Sequence, residues 1–121
     1  MGKFDSEKFY ERLYLFGRNC LFLVRSSSRN IYLNEYNSQL IRSSASVGAN
    51  YIEALEALSK KDFIHRLKIS RKEARESIHW LRLLKEGNSN PEIPKLIKEA
   101  EEIKNLLSSS ILTLEKKTKT D

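Results

Sequence analysis

The sequence predicts an all-α fold, an antiparallel up-down-up-down bundle of four helices formed by a single domain that spans residues 1–121. Apolar residues recur every three or four positions over most of the chain, which is the period of an amphipathic helix, and the alternation typical of strands is nearly absent. The breaks between the helical stretches are short, so consecutive helices are expected to pack side by side in opposite directions. An apolar content of 40% and a charged content of 31% are ordinary for a globular domain.

The first helix is expected at about residues 6–27 and the second at about residues 34–58. Asp5 or Ser6 is suited to cap the first helix, because the oxygen of a short side chain accepts a hydrogen bond from a free backbone amide. The apolar face of the first helix consists of Phe9, Leu13, Phe16, Cys20 and Val24. The apolar face of the second consists of Tyr36, Leu40, Val47, Tyr51, Ala54 and Leu58.

The second helix is unusually rich in small residues, which occupy six of the seven positions 43–49. Gly48 costs roughly 1 kcal/mol of helix propensity relative to alanine. Such a loss is tolerated where a backbone or a large side chain must come close, so the sequence predicts a close approach at this helix. A polar row adjoins its apolar face and consists of Gln39, Ser43, Ser46, Asn50 and Glu53.

The third helix is expected at about residues 60–86 and the fourth at about residues 91–115. Ser59 and Asp62 have the spacing of a capping box, and Gly87 is the residue type that ends a helix in the left-handed conformation. Pro91 is tolerated in the first turn of the fourth helix. The apolar face of that helix consists of Ile93, Leu96, Ile97, Ala100, Ile103, Leu107, Ile111 and Leu114, and residues 116–121 are expected to be a frayed polar tail.

The third helix carries three stripes of side chains at helical spacing. Its apolar stripe consists of Leu67, Ala74, Ile78 and Leu81, and its basic stripe of Lys61, His65, Lys68, Lys72, Arg75, His79 and Arg82. A third row mixes apolar and acidic residues: Ile69, Glu73, Glu76, Trp80 and Leu83. Because a helix in a monomeric bundle needs only one apolar stripe, the third row predicts a contact with a second protein chain.

Opposite charges fall at matched heights on the second and third helices. In an antiparallel hairpin that turns near Ser59, Arg42 faces Glu76, and Glu53 faces His65 or Arg66. One interpretation is a set of half-exposed salt bridges, each worth about 0 to 1 kcal/mol. The interpretation we favour is a semi-buried network that fixes the register or the oligomeric state. The candidate oligomer or network residues are Arg42, Asn50, Glu53, Glu73, Glu76 and Trp80.

Most of the positive charge of the chain lies on the third helix. Residues 59–87 carry nine basic and four acidic side chains, a net charge of +5 within a total of +6. We call five of these residues the basic face and regard them as candidate nucleic-acid-binding residues: Lys61, Lys68, Lys72, Arg75 and Arg82. Such a face attracts phosphates. No Phe, Tyr or Trp interleaves with it, so we expect contact with the phosphate backbone without base stacking. A solvated face that keeps the protein soluble explains the same charges.

Several blocks of the sequence resemble one protein family. The blocks are residues 39–54 (QLIRSSASVGANYIEA), 59–63 (SKKDF), 72–77 (KEARES) and 80–84 (WLRLL). They resemble the bacterial four helix bundle protein family, which includes proteins encoded in intervening sequences of 23S rRNA genes and is related to the accessory variability protein of diversity-generating retroelements. The resemblance implies an antiparallel bundle, often assembled as a ring of five copies, with no established catalytic activity. One relative within this resemblance, the accessory variability protein, engages nucleic acid and a reverse transcriptase.

Catalytic sites find little support in the sequence. Glu76 and His79 have the Glu-x-x-His spacing of di-iron bundles, but such a site needs a second copy on another helix. The other histidine, His65, lies on the same predicted helix. No Arg-x(4–6)-His pair, glycine-rich phosphate loop or metal-spaced set of Cys and His occurs in the sequence. We therefore expect no enzymatic activity and no cofactor.

The sequence also bears on location. Its densest apolar run contains Arg18 and Asn19, and no signal peptide is recognisable, so neither a membrane span nor secretion is expected. The single cysteine, Cys20, excludes an intramolecular disulfide and fits a reducing cytoplasm. Two classes of function remain open. The first is an oligomeric RNA-binding or DNA-binding accessory protein, and the second is a protein interaction scaffold without a nucleic-acid role.

Overall fold

The computed structural model describes residues 5–120 as four α-helices joined by short segments. The helices are α1 (Ser6–Ser26), α2 (Asn34–Leu55), α3 (Lys60–Gly87) and α4 (Glu92–Thr120). No strand occurs within residues 5–120. Because α1 packs against α2 and α4, and α3 also packs against α2 and α4, the four helices surround one core. The predicted all-α bundle of four helices is confirmed.

Apolar side chains from all four helices form the core. The large, fully buried ones are Leu13, Phe16, Leu40, Leu67, Leu81, Leu84, Ile93, Ile103, Leu107 and Ile111. On α1, Leu23 takes the buried place that the sequence assigned to Val24, which is partly buried. Along the described part of the chain, none of the helices is both long and apolar enough to traverse a lipid bilayer.

Side-chain caps define where two of the helices begin. The Asp5 carboxylate accepts hydrogen bonds from the backbone N–H groups of Glu7 and Lys8, each at 3.1 Å, and thereby caps α1. The Ser59 hydroxyl accepts a hydrogen bond from the Asp62 N–H at 3.1 Å at the start of α3. Both caps satisfy backbone donors that have no partner within a helix.

Two helix ends differ from the prediction. α2 ends at Leu55 rather than near residue 58, and the Glu56 N–H donates to the Ile52 carbonyl at 3.1 Å in the closing turn. Leu58 is fully exposed and does not join the buried face of α2, because the chain turns before any helix can cover it. α4 continues to Thr120, beyond the predicted end near residue 115. The frayed tail predicted for residues 116–121 is therefore helical through residue 120, and residue 121 lies outside the described residues.

Gly87 does not end α3 in the way that the sequence predicted. It is the last residue of the helix, and no glycine within residues 5–120 has a positive φ. The following residue, Asn88, is extended, with φ −143° and ψ 118°. A Cβ atom at Gly87 would lie 3.2 Å from Cδ2 of Leu33, so a glycine here leaves room for the segment that joins α1 to α2.

The predicted close approach at α2 is present, but a glycine of α1 is the residue that requires it. A Cβ atom at Gly17 would lie 3.3 Å from the carbonyl oxygen of Ser44. A Cβ atom at Gly48 would lie 3.7 Å from Cβ of Leu13, which is an ordinary contact distance. The backbones of α1 and α2 therefore come close at Gly17, while Gly48 has space for a methyl group.

Candidate functional site

Buried hydroxyl groups connect α2 to α3. The hydroxyl oxygens of Ser43 and Ser77 share a hydrogen bond of 2.9 Å, and Ser77 also donates to the Glu73 carbonyl at 2.9 Å. Farther along, the Ser70 hydroxyl donates to the Val47 carbonyl of α2 at 2.7 Å. These bonds hold the two helices in a register that places Arg42 level with Glu76, as the sequence predicted.

Arg42 lies between two carboxyl groups of α3. Its Nη1 atom is 3.8 Å from Oε1 of Glu73, and its Nη2 atom is 3.8 Å from Oε2 of Glu76. Both distances exceed the usual length of a hydrogen bond, so these contacts are ion pairs without a direct hydrogen bond. Nε of Arg42 donates instead to Oε1 of Gln39 at 3.3 Å, and the Gln39 amide donates to Glu35 at 3.0 Å.

Glu73 is a buried acid, and one of its carboxylate oxygens accepts no hydrogen bond from the described residues. Its side chain is 6% exposed, and Oε1 has no hydrogen-bond partner among the described residues. Burial raises the pKa of Glu73 because it disfavours the charged form, and the neighbouring Glu76 carboxyl raises it further, while Arg42 and Lys72 oppose both effects. The neutral form of Glu73 is therefore favoured to a higher pH than that of an ordinary glutamate.

Two predicted members of this cluster lie outside it. The Asn50 amide donates to the Ser46 carbonyl of its own helix at 2.9 Å. Glu53 is exposed, and Arg66, one of the two partners expected for it, lies 4.0 Å from Asp62. The structure therefore brings together Arg42, Glu73 and Glu76 but does not bring Asn50 and Glu53 to them.

Trp80 occupies the edge of the seam between α2 and α3. Its ring packs against the core, with centroids 5.9 Å from Tyr36 and 4.9 Å from the imidazole of His79. Its Nε1 atom is buried without a hydrogen-bond partner among the described residues. The third row of α3, which includes Ile69 and Leu83, is half-buried rather than fully open. Part of this row therefore packs within the chain, and its contact with a second chain stays a prediction.

An exposed apolar surface lies instead between α1 and α2. A groove of about 410 Å³, here called the α1–α2 groove, runs along these helices and has Tyr14, Leu21, Ile41 and Ile52 among its lining residues. These four side chains are 53%, 40%, 38% and 45% exposed, respectively. This surface was not predicted, because only one apolar face was assigned to each helix. Residues 10, 14, 17 and 21 of α1, and residues 41, 45, 48 and 52 of α2, repeat the same helical spacing and would have indicated it.

The basic face is open to solvent along its whole length. All five of its side chains are exposed: Lys61, Lys68, Lys72, Arg75 and Arg82. Nζ of Lys68 lies 3.1 Å from a carboxylate oxygen of Glu115 on α4, which offsets its charge. Within residues 5–117, whose side chains are described, Arg75 and Arg82 form no ion pair. The charges of these two arginines are therefore not offset by an ion pair.

Two aromatic rings, His79 of the basic stripe and Trp80 of the neighbouring row, adjoin the basic face. A shallow groove of about 460 Å³, here called the α3 groove, is lined at one end by Lys68, Arg71, Lys72 and Arg75 and at the other by Glu76, His79 and Trp80. The stripes of the sequence separated Trp80 from the basic residues because their Cα positions face different directions. The indole is wide enough to reach the groove from the neighbouring row.

No arrangement suited to metal or thiol chemistry occurs within residues 5–120. Residues 5–120 contain no cluster of three or more His, Cys, Asp or Glu side chains able to hold a metal ion. Burial raises the pKa of Cys20 to about 12, against the opposing effect of a hydrogen bond with Ser44. A thiol with such a pKa is almost entirely protonated near neutral pH and is a poor nucleophile.

The chain is similar to known proteins over most of its length. The family model described as 23S rRNA-intervening sequence protein matches residues 10–109. A crystal structure at 1.70 Å of a protein with unknown function, from the S23 ribosomal protein family of Bacteroides thetaiotaomicron VPI-5482, matches with a TM-score of 0.75 and 30% sequence identity. The match covers 85% of this chain and 97% of that chain. A comparison with curated proteins gives no significant match.

Proposed function

The chain belongs to the 23S rRNA-intervening sequence protein family, and from this premise we propose that it is a cytoplasmic, non-catalytic, self-assembling bundle that binds the phosphate backbone of RNA or DNA through its basic face. Electrostatic attraction between exposed cations and phosphates is independent of sequence and provides most of the affinity of non-specific binding. Exposed arginines without acidic partners are the groups that contribute most to such a field.

We propose that consecutive helices of the bundle alternate in direction. Two hydrogen bonds, Ser43 to Ser77 and Ser70 to Val47, support this for α2 and α3, because residue numbers rise on α2 as they fall on α3. Copies of the chain also associate with one another and form the ring of five that the family resemblance implies. A ring repeats the basic face once per copy and so multiplies its potential toward a polyanion.

The observation that carries the nucleic-acid proposal is the unpaired state of the arginines on the basic face. Lys68 is offset by Glu115, but Arg75 and Arg82 are exposed and have no acidic partner among residues 5–117. They lie two helical turns apart, about 10 Å along the axis. Exposed cations that follow one another along a helix provide a track for successive phosphates.

Salt-dependent binding tests this proposal. Anisotropy of a fluorescent RNA oligonucleotide is measured with the native protein and with the triple variant Lys72→Gln, Arg75→Gln, Arg82→Gln at about 50 mM and about 200 mM salt. The native protein is expected to bind more weakly by at least tenfold at the higher salt concentration, and the variant is expected to lose most of the binding. The control is Lys8→Gln, Arg25→Gln, Lys98→Gln, which removes three exposed charges from α1 and α4.

The control variant has the same net charge as the triple variant, so it separates a local effect from a general one. Retained binding in the control together with loss in the triple variant supports the basic face as the binding surface. Equal losses in both variants, or no binding of the native protein at low salt, contradict the proposal.

The α1–α2 groove favours a second candidate function, a protein interaction scaffold without a nucleic-acid role. Four large apolar side chains line it and are each more than one third exposed. Apolar surface of this kind is characteristic of interfaces between chains. The same groove also serves the self-association proposed above, so the scaffold differs from the first candidate in having no nucleic-acid partner on the basic face.

Oligomeric state tests whether the groove is an interface. The mass in solution is measured by light scattering for the native protein, for Ile52→Glu in the groove and for Leu112→Glu on α4. Leu112 is 55% exposed and lies outside the groove, so it provides a matched control. We expect Ile52→Glu to dissociate the assembly and Leu112→Glu to leave it intact. A native protein that is monomeric at all concentrations would contradict self-association.

A further inference from the structure

We propose that the α3 groove binds an unpaired stretch of nucleic acid and stacks one base against the His79–Trp80 pair, so that the protein prefers single strands to duplexes. This inference rests on the proposed function, since it assigns the class of nucleic acid to the same face. It adds the aromatic end of the groove, which phosphate binding alone does not use.

The groove combines the two features that single-strand binding requires. Lys72 and Arg75 lie one helical turn apart at its basic end, while Trp80 and His79 line its other end. Proteins that bind single strands pair a positive track for the backbone with aromatic rings for the bases. The groove volume of about 460 Å³ falls within the range of sites that accept a ligand of nucleotide size.

The two rings contact each other, and the Trp80 ring also packs against Tyr36 of α2. The Trp80 ring packs at 5.9 Å from the Tyr36 ring, at an interplanar angle of 33°, and the His79 ring meets it edge-on at 4.9 Å and 65°. His79 is exposed, whereas Trp80 is half-buried. Part of the His79 ring is therefore accessible to a base, and the indole of Trp80 lies beside it.

Charge at the aromatic end does not exclude a phosphodiester chain. Glu76 also lines the groove, and its carboxylate would repel phosphates if it stood alone. Arg42 lies 3.8 Å from that carboxylate and offsets part of its charge, since it also pairs with Glu73. The uncompensated cations then lie at the other end, so the phosphates are drawn toward Lys72 and Arg75 while a base occupies the space beside the rings.

The preference for single strands follows from the geometry of stacking. In a duplex the faces of the bases are covered by their neighbours, so a side chain on a helix surface cannot stack on them. An unpaired base exposes both faces. A duplex would therefore use only the basic end of the groove, whereas a single strand would use both ends.

The test compares three ligands of one sequence: single-stranded RNA of about 12 nucleotides, single-stranded DNA of the same length, and the RNA duplex. Anisotropy gives the affinities. The fluorescence of Trp80, the single tryptophan of the chain, reports contact at the groove itself. We expect both single strands to bind more tightly than the duplex and to quench Trp80, while the duplex leaves its emission unchanged. The tighter of the two single strands identifies the preferred sugar.

Variants of the two exposed histidines separate stacking from charge. His79→Ala is expected to weaken single-strand binding about five- to hundredfold, the range for loss of one stacked base, and His79→Phe to retain it. His65→Ala is the matched control, because His65 belongs to the basic stripe but does not line the groove. It is expected to bind as the native protein does. Circular dichroism confirms that each variant is folded.

The outcomes distinguish this inference from the function on which it rests. If the duplex binds as tightly as the single strands, or if His79→Ala binds as tightly as the native protein, the stacking site is refuted while salt-dependent backbone binding stands. If none of the three ligands binds at low salt, the proposed function and this inference fall together.

Discussion

Replacing Glu73 by glutamine is expected to stabilise the protein at alkaline pH, because the native carboxylate is buried without full compensation. Its side chain is 6% exposed, and Oε1 accepts no hydrogen bond from the described residues. A buried polar group with incomplete hydrogen bonds costs about 1–3 kcal/mol and more when it is charged, so the carboxylate costs more than the neutral amide of glutamine in the same place. The ion pair with Arg42 returns about 0–1 kcal/mol, since the arginine is 57% exposed and the atoms are 3.8 Å apart. Desolvation therefore outweighs the attraction.

The pH dependence follows from the direction of the pKa shift. The pKa of Glu73 is raised in the folded state above the value of 4.5 expected for an unperturbed glutamate, so the folded state binds the proton more tightly than the unfolded state does. The contribution of Glu73 to stability is then greatest below the unperturbed pKa and is lost as the pH rises through the folded pKa. Glutamine does not titrate, so its advantage is expected to be small at about pH 4 and to approach about 1 kcal/mol at about pH 8.

Thermal unfolding followed by circular dichroism measures this difference. An advantage of about 1 kcal/mol corresponds to an increase in Tm of roughly 3–6 °C for a chain of this length. Glu76→Gln is the control, because Glu76 is 41% exposed and its charge is better solvated. A Glu73→Gln variant that melts below the native protein at about pH 8 would show that the ion pair with Arg42 outweighs desolvation and would refute the reasoning.

Three further predictions concern the seam, the glycines and the thiol. Arg42→Met is expected to lower the Tm at neutral pH, because it removes the cation beside Glu73. An unchanged Tm together with an unchanged oligomeric state would reject a structural role for the cluster of Arg42, Glu73 and Glu76. Gly48→Ala is expected to stabilise the protein by up to about 1 kcal/mol in urea unfolding, since α2 has room for the methyl group and alanine favours the helix. Gly17→Ala is expected to destabilise the protein, because the new Cβ would lie 3.3 Å from the Ser44 carbonyl oxygen. Equal effects of the two glycine substitutions would contradict the packing of α1 against α2. Cys20 is expected to react with a thiol reagent far more slowly in the native than in the denatured protein, and rapid native labelling at about pH 8 would contradict its burial.

The candidate site was only partly predictable from the sequence. The basic face and the pairing of Arg42 with Glu76 follow from helical spacing and from the position of the turn, and the structure contains both. Asn50 and Glu53 were predicted to join the cluster. A side chain on a helix can instead bond to the backbone of its own helix, and the Asn50 amide donates to the Ser46 carbonyl in this way. Helical spacing does not reveal that choice.

The aromatic end of the α3 groove shows a second limit of reasoning from spacing. Trp80 belongs to a different stripe from Lys72, yet both line one groove. A helical projection locates Cα atoms, whereas the extent of a large ring depends on what packs behind it, here Tyr36 of α2. The α1–α2 groove was missed for a related reason, because its lining residues form a second apolar stripe on each helix.

The sequence by itself determined the all-α class, the number of helices, the cap at Ser59, a cap at Asp5 or Ser6, and most of the core, because helical periodicity and capping depend on residues a few positions apart. The tertiary structure alone decided where the helices come close and which surfaces stay open. Gly17 against the Ser44 carbonyl, Leu33 against Gly87 and Trp80 against Tyr36 each join residues far apart in the chain. Such contacts depend on the volume and orientation of side chains from two helices at once, and no pattern within one helix records them.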